Sequence, residues 1–116
     1  MKTAFLVFSY KNGENLAMPL IFHTLLFANE MVEKGDDVKI ILEGEGVLWA
    51  KDLLNEEHPL KGHFEKLKDN FVVCEACAVM FNIKDEIKDE LTLENKLKGH
   101  ISLKEYIDNG YTIIKM

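Results

Sequence analysis

Two cysteines, Cys74 and Cys77, stand in the stretch NFVVCEACAVMF with C-x-x-C spacing, directly after an apolar run. A thiol pair so spaced can close a disulfide, ligate a metal, or present a nucleophilic sulfur. A cysteine that ends a strand, with its partner in the first turn of the following helix, lies among unpaired backbone N–H groups. These favour thiolate, the reactive form. The competing expectation is packing, since free cysteine is commonly buried as a small hydrophobe. No metal is expected at the pair: His58 and His63 are the histidines nearest to it in sequence, and a strand separates them from the cysteines. That strand puts them at the far end of a sheet, which disfavours a two-Cys, two-His zinc module. His23 and His100 read as packing or surface residues. Lys11, Glu14 and Glu43 are candidates to share an edge with the thiols, although nothing in the spacing selects among them.

Other chemistries find little support. Gly44 and Gly46 form a turn, short of any phosphate-binding glycine pattern, and no cofactor is expected. Trp49 reads as a core or interface residue. A thioredoxin-type motif would follow an early strand and require a proline outside a helix, whereas Pro19 and Pro59 fall in helical contexts. The net charge is −6 and every basic residue is lysine. Without arginine's bidentate fork or a basic stripe, nucleic acid is not an expected partner. The apolar segment Leu16 to Ala28 is interrupted by His23 and Thr24 and is too short to cross a bilayer. The N-terminal run reads as a strand and not a signal peptide. A cytoplasmic protein is expected, a setting that disfavours a structural disulfide.

The elements that would position the thiols follow from periodicity. Apolar runs at Thr3 to Ser9, within Asp36 to Gly46, and at Phe71 to Cys74 read as strands covered on both faces. YTIIKM reads as a last strand, and LKGHI (Leu97 to Ile101) as a further short one. Between them lie helical stretches: Leu16 to Lys34 closed by Gly35, Val47 to Glu57, and Leu60 to Asn70. Another begins near Ala76. Leu103 to Asn109 is preceded by a Ser102 N-cap with Glu105 three residues on and is closed by Gly110. The mixed-charge run Ile83 to Lys98 reads as a solvated helix face. Alternating strands and helices indicate one α/β domain, residues 1–116: three layers, with a mostly parallel five-stranded sheet and helices on both faces. The helix from Leu16 carries two apolar faces, one with Leu16, Leu20, Phe27 and Met31, the other with Ile21, Leu25, Ala28 and Val32. A helix apolar around so much of its circumference points to a second buried surface, hence to a homo-oligomer.

The order of elements, GDDVKIILEGEGV after the first helix and VVCEACAVMFNI after the third strand together resemble the DsrE/DsrF-like (YchN-like) small sulfur-relay proteins over essentially the whole chain. The resemblance implies a DsrE-like domain assembling as a trimer or hexamer, with sulfur donor and acceptor proteins as partners. It places Cys74 at the family's persulfide-carrying position and Cys77 at the second cysteine that some members have. Where related members often carry Arg-Gly, this chain has Phe81-Asn82. The implied function is sulfur relay through a cysteine persulfide. The alternatives are a non-catalytic oligomeric interaction protein with packing cysteines, or a zinc-binding protein.

Overall fold

A computed structural model describes residues 1–10 and 17–116. Among the described residues, five strands form one sheet: β1 (Lys2–Val7), β2 (Asp37–Leu42), β3 (Phe71–Cys74), β4 (Thr92–Glu94) and β5 (Thr112–Lys115). Their order across the sheet is β4-β3-β2-β1-β5, and every neighbouring pair is parallel. The central three strands are apolar because both faces are covered. Ala4, Phe5, Ile40, Ile41, Leu42, Phe71 and Val73 are all fully buried.

The chain steps one way across the sheet from β1 to β4, then returns to β5 on the far side of β1. Right-handed crossovers therefore place the helices of the outward path on one face and that of the return path on the other. Outward come α1 (Ala17–Glu33), α2 (Leu48–Leu54), α3 (Lys61–Leu67), α4 (Glu75–Met80) and α5 (Lys84–Ile87). Helix α6 (Leu103–Asp108) lies on the return. Two features anticipated from sequence shape this path. The Ser102 hydroxyl caps α6 by accepting from the Glu105 N–H, and the buried Trp49 donates its indole N–H to the Ser9 carbonyl at 2.6 Å.

Helix α1 buries Ala17, Ile21, Thr24, Leu25 and Ala28, and the Thr24 hydroxyl is satisfied by the Leu20 carbonyl at 2.8 Å. Its other apolar face, with Leu20 and Phe27, is exposed. Leu16, expected to open this helix, lies outside the described residues.

Two sequence expectations change. The charge run Ile83 to Lys98 is not one helix: only Lys84–Ile87 is helical, and β4 lies within the run at Thr92–Glu94. Burial explains this, because Ile83, Ile87 and Leu91 fill core positions and carry the chain to the sheet edge. The segment Leu97 to Ile101 is not a strand of the sheet. Leu97 and His100 instead bond each other across a tight turn, N–H to carbonyl at 2.9 and 2.8 Å.

Candidate functional site

The strands are parallel, so their carboxyl ends share one edge, where α/β folds gather functional groups. Among the described residues, three chain segments converge there. The first is the exit of β2. Glu43 is extended, its N–H bonded to the Val7 carbonyl at 3.0 Å, and it caps the 3-10 turn Gly44–Val47. That turn runs hard against the end of β1: a Cβ on Gly46 would stand 2.1 Å from the Val7 carbonyl oxygen. Only glycine permits the approach that places Glu43.

The second segment is the end of β3. Cys74 is its last residue and Cys77 lies in α4; both thiols are free and buried, Cys74 with no exposed surface. The third is the turn after β4. Gly99 accepts from the Ala76 N–H at 2.9 Å, its φ is +91°, and a Cβ there would press the Ala76 methyl at 3.3 Å. Buried Ile101 anchors the exit of this turn, so His100 is held over the start of α4.

Glu43, Cys74, Cys77 and His100 thereby form one cluster, their ligand-capable atoms all within 4.8 Å of one another. The His100 Nδ1 is 3.2 Å from the Cys74 sulfur and 3.7 Å from that of Cys77. The Cys77 thiol donates to Glu43 Oε1 at 3.0 Å, and the same oxygen lies 3.6 Å from His100 Nδ1. Solvent reaches the cluster through His100, whose side chain is 42% exposed against 16% for Glu43.

Burial and the neighbouring polar groups set the protonation of this cluster. Burial works against an ionised Glu43. Hydrogen bonds from the Cys77 and Cys74 thiols and the Gly44 N–H, with the adjacent His100, outweigh it and hold the carboxyl below its ordinary range. The thiols shift the other way. Burial, reinforced by the Glu43 carboxylate, raises Cys74, and the same two causes with the Cys74 thiol push Cys77 up to about 12. Unpaired N–H groups at a helix start, as read from sequence, favour thiolate. In the fold, desolvation and a neighbouring carboxylate oppose it, and both thiols rest protonated at neutral pH.

Of the residues singled out from sequence, Cys74, Cys77 and Glu43 come together. Lys11 and Glu14 lie outside the described residues. His58 and His63 are elsewhere, His63 edge-on to Phe22 at 5.7 Å and His58 edge-on to Trp49 at 6.3 Å. His100, read as a packing or surface residue, is the member that sequence reasoning missed. It lies 26 residues beyond Cys74 on a turn with no periodicity to reveal its direction.

The family model for the DsrE/DsrF-like family matches residues 1–116, the whole chain. The chain belongs to this family. It is also 69% identical over 116 residues to the uncharacterized protein MJ0733 of Methanocaldococcus jannaschii, covering all of this chain and 96% of that protein. The DsrE-like α/β architecture anticipated from sequence is the one observed. At Asn82 φ is 58°, a conformation asparagine tolerates better than most residues. Among the described residues, no helix is long and apolar enough to cross a membrane.

Proposed function

We propose that this DsrE-like chain is a sulfur carrier that holds a persulfide on Cys74. The observation that carries this reading is the His100 ring nitrogen 3.2 Å from the Cys74 sulfur, at the carboxyl edge of the sheet. A thiol that rests protonated needs a base to become a nucleophile, and an imidazole at that distance can act as one.

The transfer balances without an external oxidant. His100 takes the Cys74 proton as the thiolate attacks the outer sulfur of a donor persulfide, R–S–SH. The Cys74–sulfur bond forms while the donor S–S bond breaks, and the donor thiolate leaves with the electron pair and receives the proton. The products are Cys74–S–SH and R–SH. An acceptor thiolate then removes the outer sulfur by the same exchange. Cys77, in the same cluster, serves as a resolving thiol. Its attack on the inner sulfur would form a Cys74–Cys77 disulfide and expel hydrosulfide. Burial shields the loaded sulfur from small thiols in solution.

The same burial favours a second reading, a non-catalytic interaction protein with packing cysteines. Thiol titration of the native protein separates the two, because packing cysteines stay unreactive until the chain unfolds. Loading with a cysteine desulfurase or thiosulfate, followed by intact mass, tests the sulfur reading directly.

A homo-oligomer belongs to this proposal, with second copies covering the outer face of α1. The supporting observations are the exposure of Leu20 and Phe27 and the absence of any charged residue from Ala17 to Asn29.

A further inference from the structure

We infer that Glu43, Cys74, Cys77 and His100 form a binding site for a zinc-class divalent cation, two sulfurs, one imidazole nitrogen and one carboxylate oxygen being its ligands. The donor set is the first ground. Thiolate and imidazole select borderline-soft cations such as zinc over magnesium or calcium, and four such donors make a complete tetrahedral shell.

Geometry is the second ground. Bond lengths typical of zinc place the ligand atoms of a tetrahedral site about 3.3 to 3.8 Å apart. The contacts in the cluster are 3.0 Å from Cys77 to Glu43, 3.2 Å from Cys74 to His100, 3.6 Å from Glu43 to His100, and 3.7 Å from Cys77 to His100. The two remaining pairs, Cys74 with Cys77 and Cys74 with Glu43, lie within 4.8 Å, so the shell is near metal-bound spacing before any ion enters.

Construction is the third ground. The ligands come from three segments whose backbones are fixed independently: Glu43 by its bond to Val7, the cysteines by β3 and α4, and His100 by the turn docked on Ala76. This is a preformed site. A carboxylate packed against two buried thiols has its negative charge offset by a bound cation, and each thiol gives its proton to solvent as its sulfur bonds the metal. The step involves no oxidation or reduction.

The site shares Cys74 with the proposed sulfur chemistry but does not depend on it. A metal-bound Cys74 sulfur is unavailable to a donor persulfide, so zinc occupancy would block loading.

The test uses the purified full chain, reduced and freed of metal, titrated with Zn²⁺ and separately with Co²⁺. The expected result is one equivalent retained per chain after desalting, a thiolate-to-cobalt charge-transfer band, the visible bands of tetrahedral cobalt, and a Tm raised by zinc. His100→Ala removes a half-exposed turn side chain and leaves the core intact; it should weaken zinc binding at least tenfold and shrink the Tm rise at a fixed zinc concentration. Two results overturn the site: no retained metal with no cobalt–thiolate band, or equal retention by His100→Ala and by a Cys74→Ser/Cys77→Ser variant. A chain that binds zinc yet, once freed of metal, takes no sulfur refutes the sulfur reading alone, and a chain that loads sulfur but retains no zinc refutes the metal site alone.

Discussion

The Nδ1 atom of His100 lies 3.2 Å from the sulfur of Cys74, joining the turn after β4 to the last residue of β3. This pair gives a thiol that rests protonated a base within reach. If the base matters, His100→Gln should slow sulfur loading at neutral pH by roughly a hundredfold, the scale of general base catalysis. The rate should recover as pH rises and Cys74 ionises unaided. Stopped-flow loading across a pH series checks both, and a uniform loss at every pH would point to a structural role.

Glu43 acts in the opposite sense on the same thiols. Its carboxylate disfavours both thiolates, so Glu43→Gln should speed alkylation by iodoacetamide at neutral pH, roughly tenfold for each unit by which a thiol pKa falls. The stability profile should change as well. Because the Glu43 pKa is depressed in the fold, its contribution is present at neutral pH and lost as pH falls through the folded value. The substituted chain should lack that acid-side loss. Because the Cys77 pKa is raised, the stability tied to its protonated thiol is complete below the ordinary thiol range and declines as pH rises toward about 12. Denaturant midpoints measured against pH would show both limbs.

Gly46 and Gly62 make a controlled comparison. A methyl at Gly46 meets the Val7 carbonyl oxygen at 2.1 Å, whereas one at Gly62, within α3, meets nothing within 4 Å. Gly46→Ala should destabilise by about 2–3 kcal/mol, as overpacking against backbone does. That lowers Tm by roughly 10 °C and displaces Glu43. Gly62→Ala should be neutral or stabilising by up to about 1 kcal/mol through helix propensity. Thermal scans of the two variants suffice.

If second copies cover the outer face of α1, Leu20→Asp with Phe27→Asp should produce a monomer by analytical ultracentrifugation. Both side chains are already exposed, so the circular dichroism spectrum should not change. An unchanged sedimentation coefficient would remove α1 from the interface.

Much of the frame was legible in the sequence because local physics determines it. The apolar runs of β1, β2 and β3 and the Ser102 cap require no tertiary knowledge. Strand β4 was not legible: it has three residues, lies at an edge, and hides among charges that suit a helix equally well. Cys74 and Cys77 were legible by type and spacing, and Glu43 was one of several candidates for their edge. His100 required the fold, since only the docking of Gly99 on Ala76 turns it toward sulfur. The protonation of the thiols also required it, because burial and Glu43 reverse what the start of α4 alone would predict.

Intact mass spectrometry after loading with a persulfide donor reads the Cys74 sulfur itself. The native protein, sampled before Cys77 resolves the persulfide, should gain a single sulfur that a reductant removes. Cys77→Ala should retain the adduct, and Cys74→Ala should lose it. No adduct under any loading condition, or one that persists in Cys74→Ala, would rule out a persulfide on Cys74.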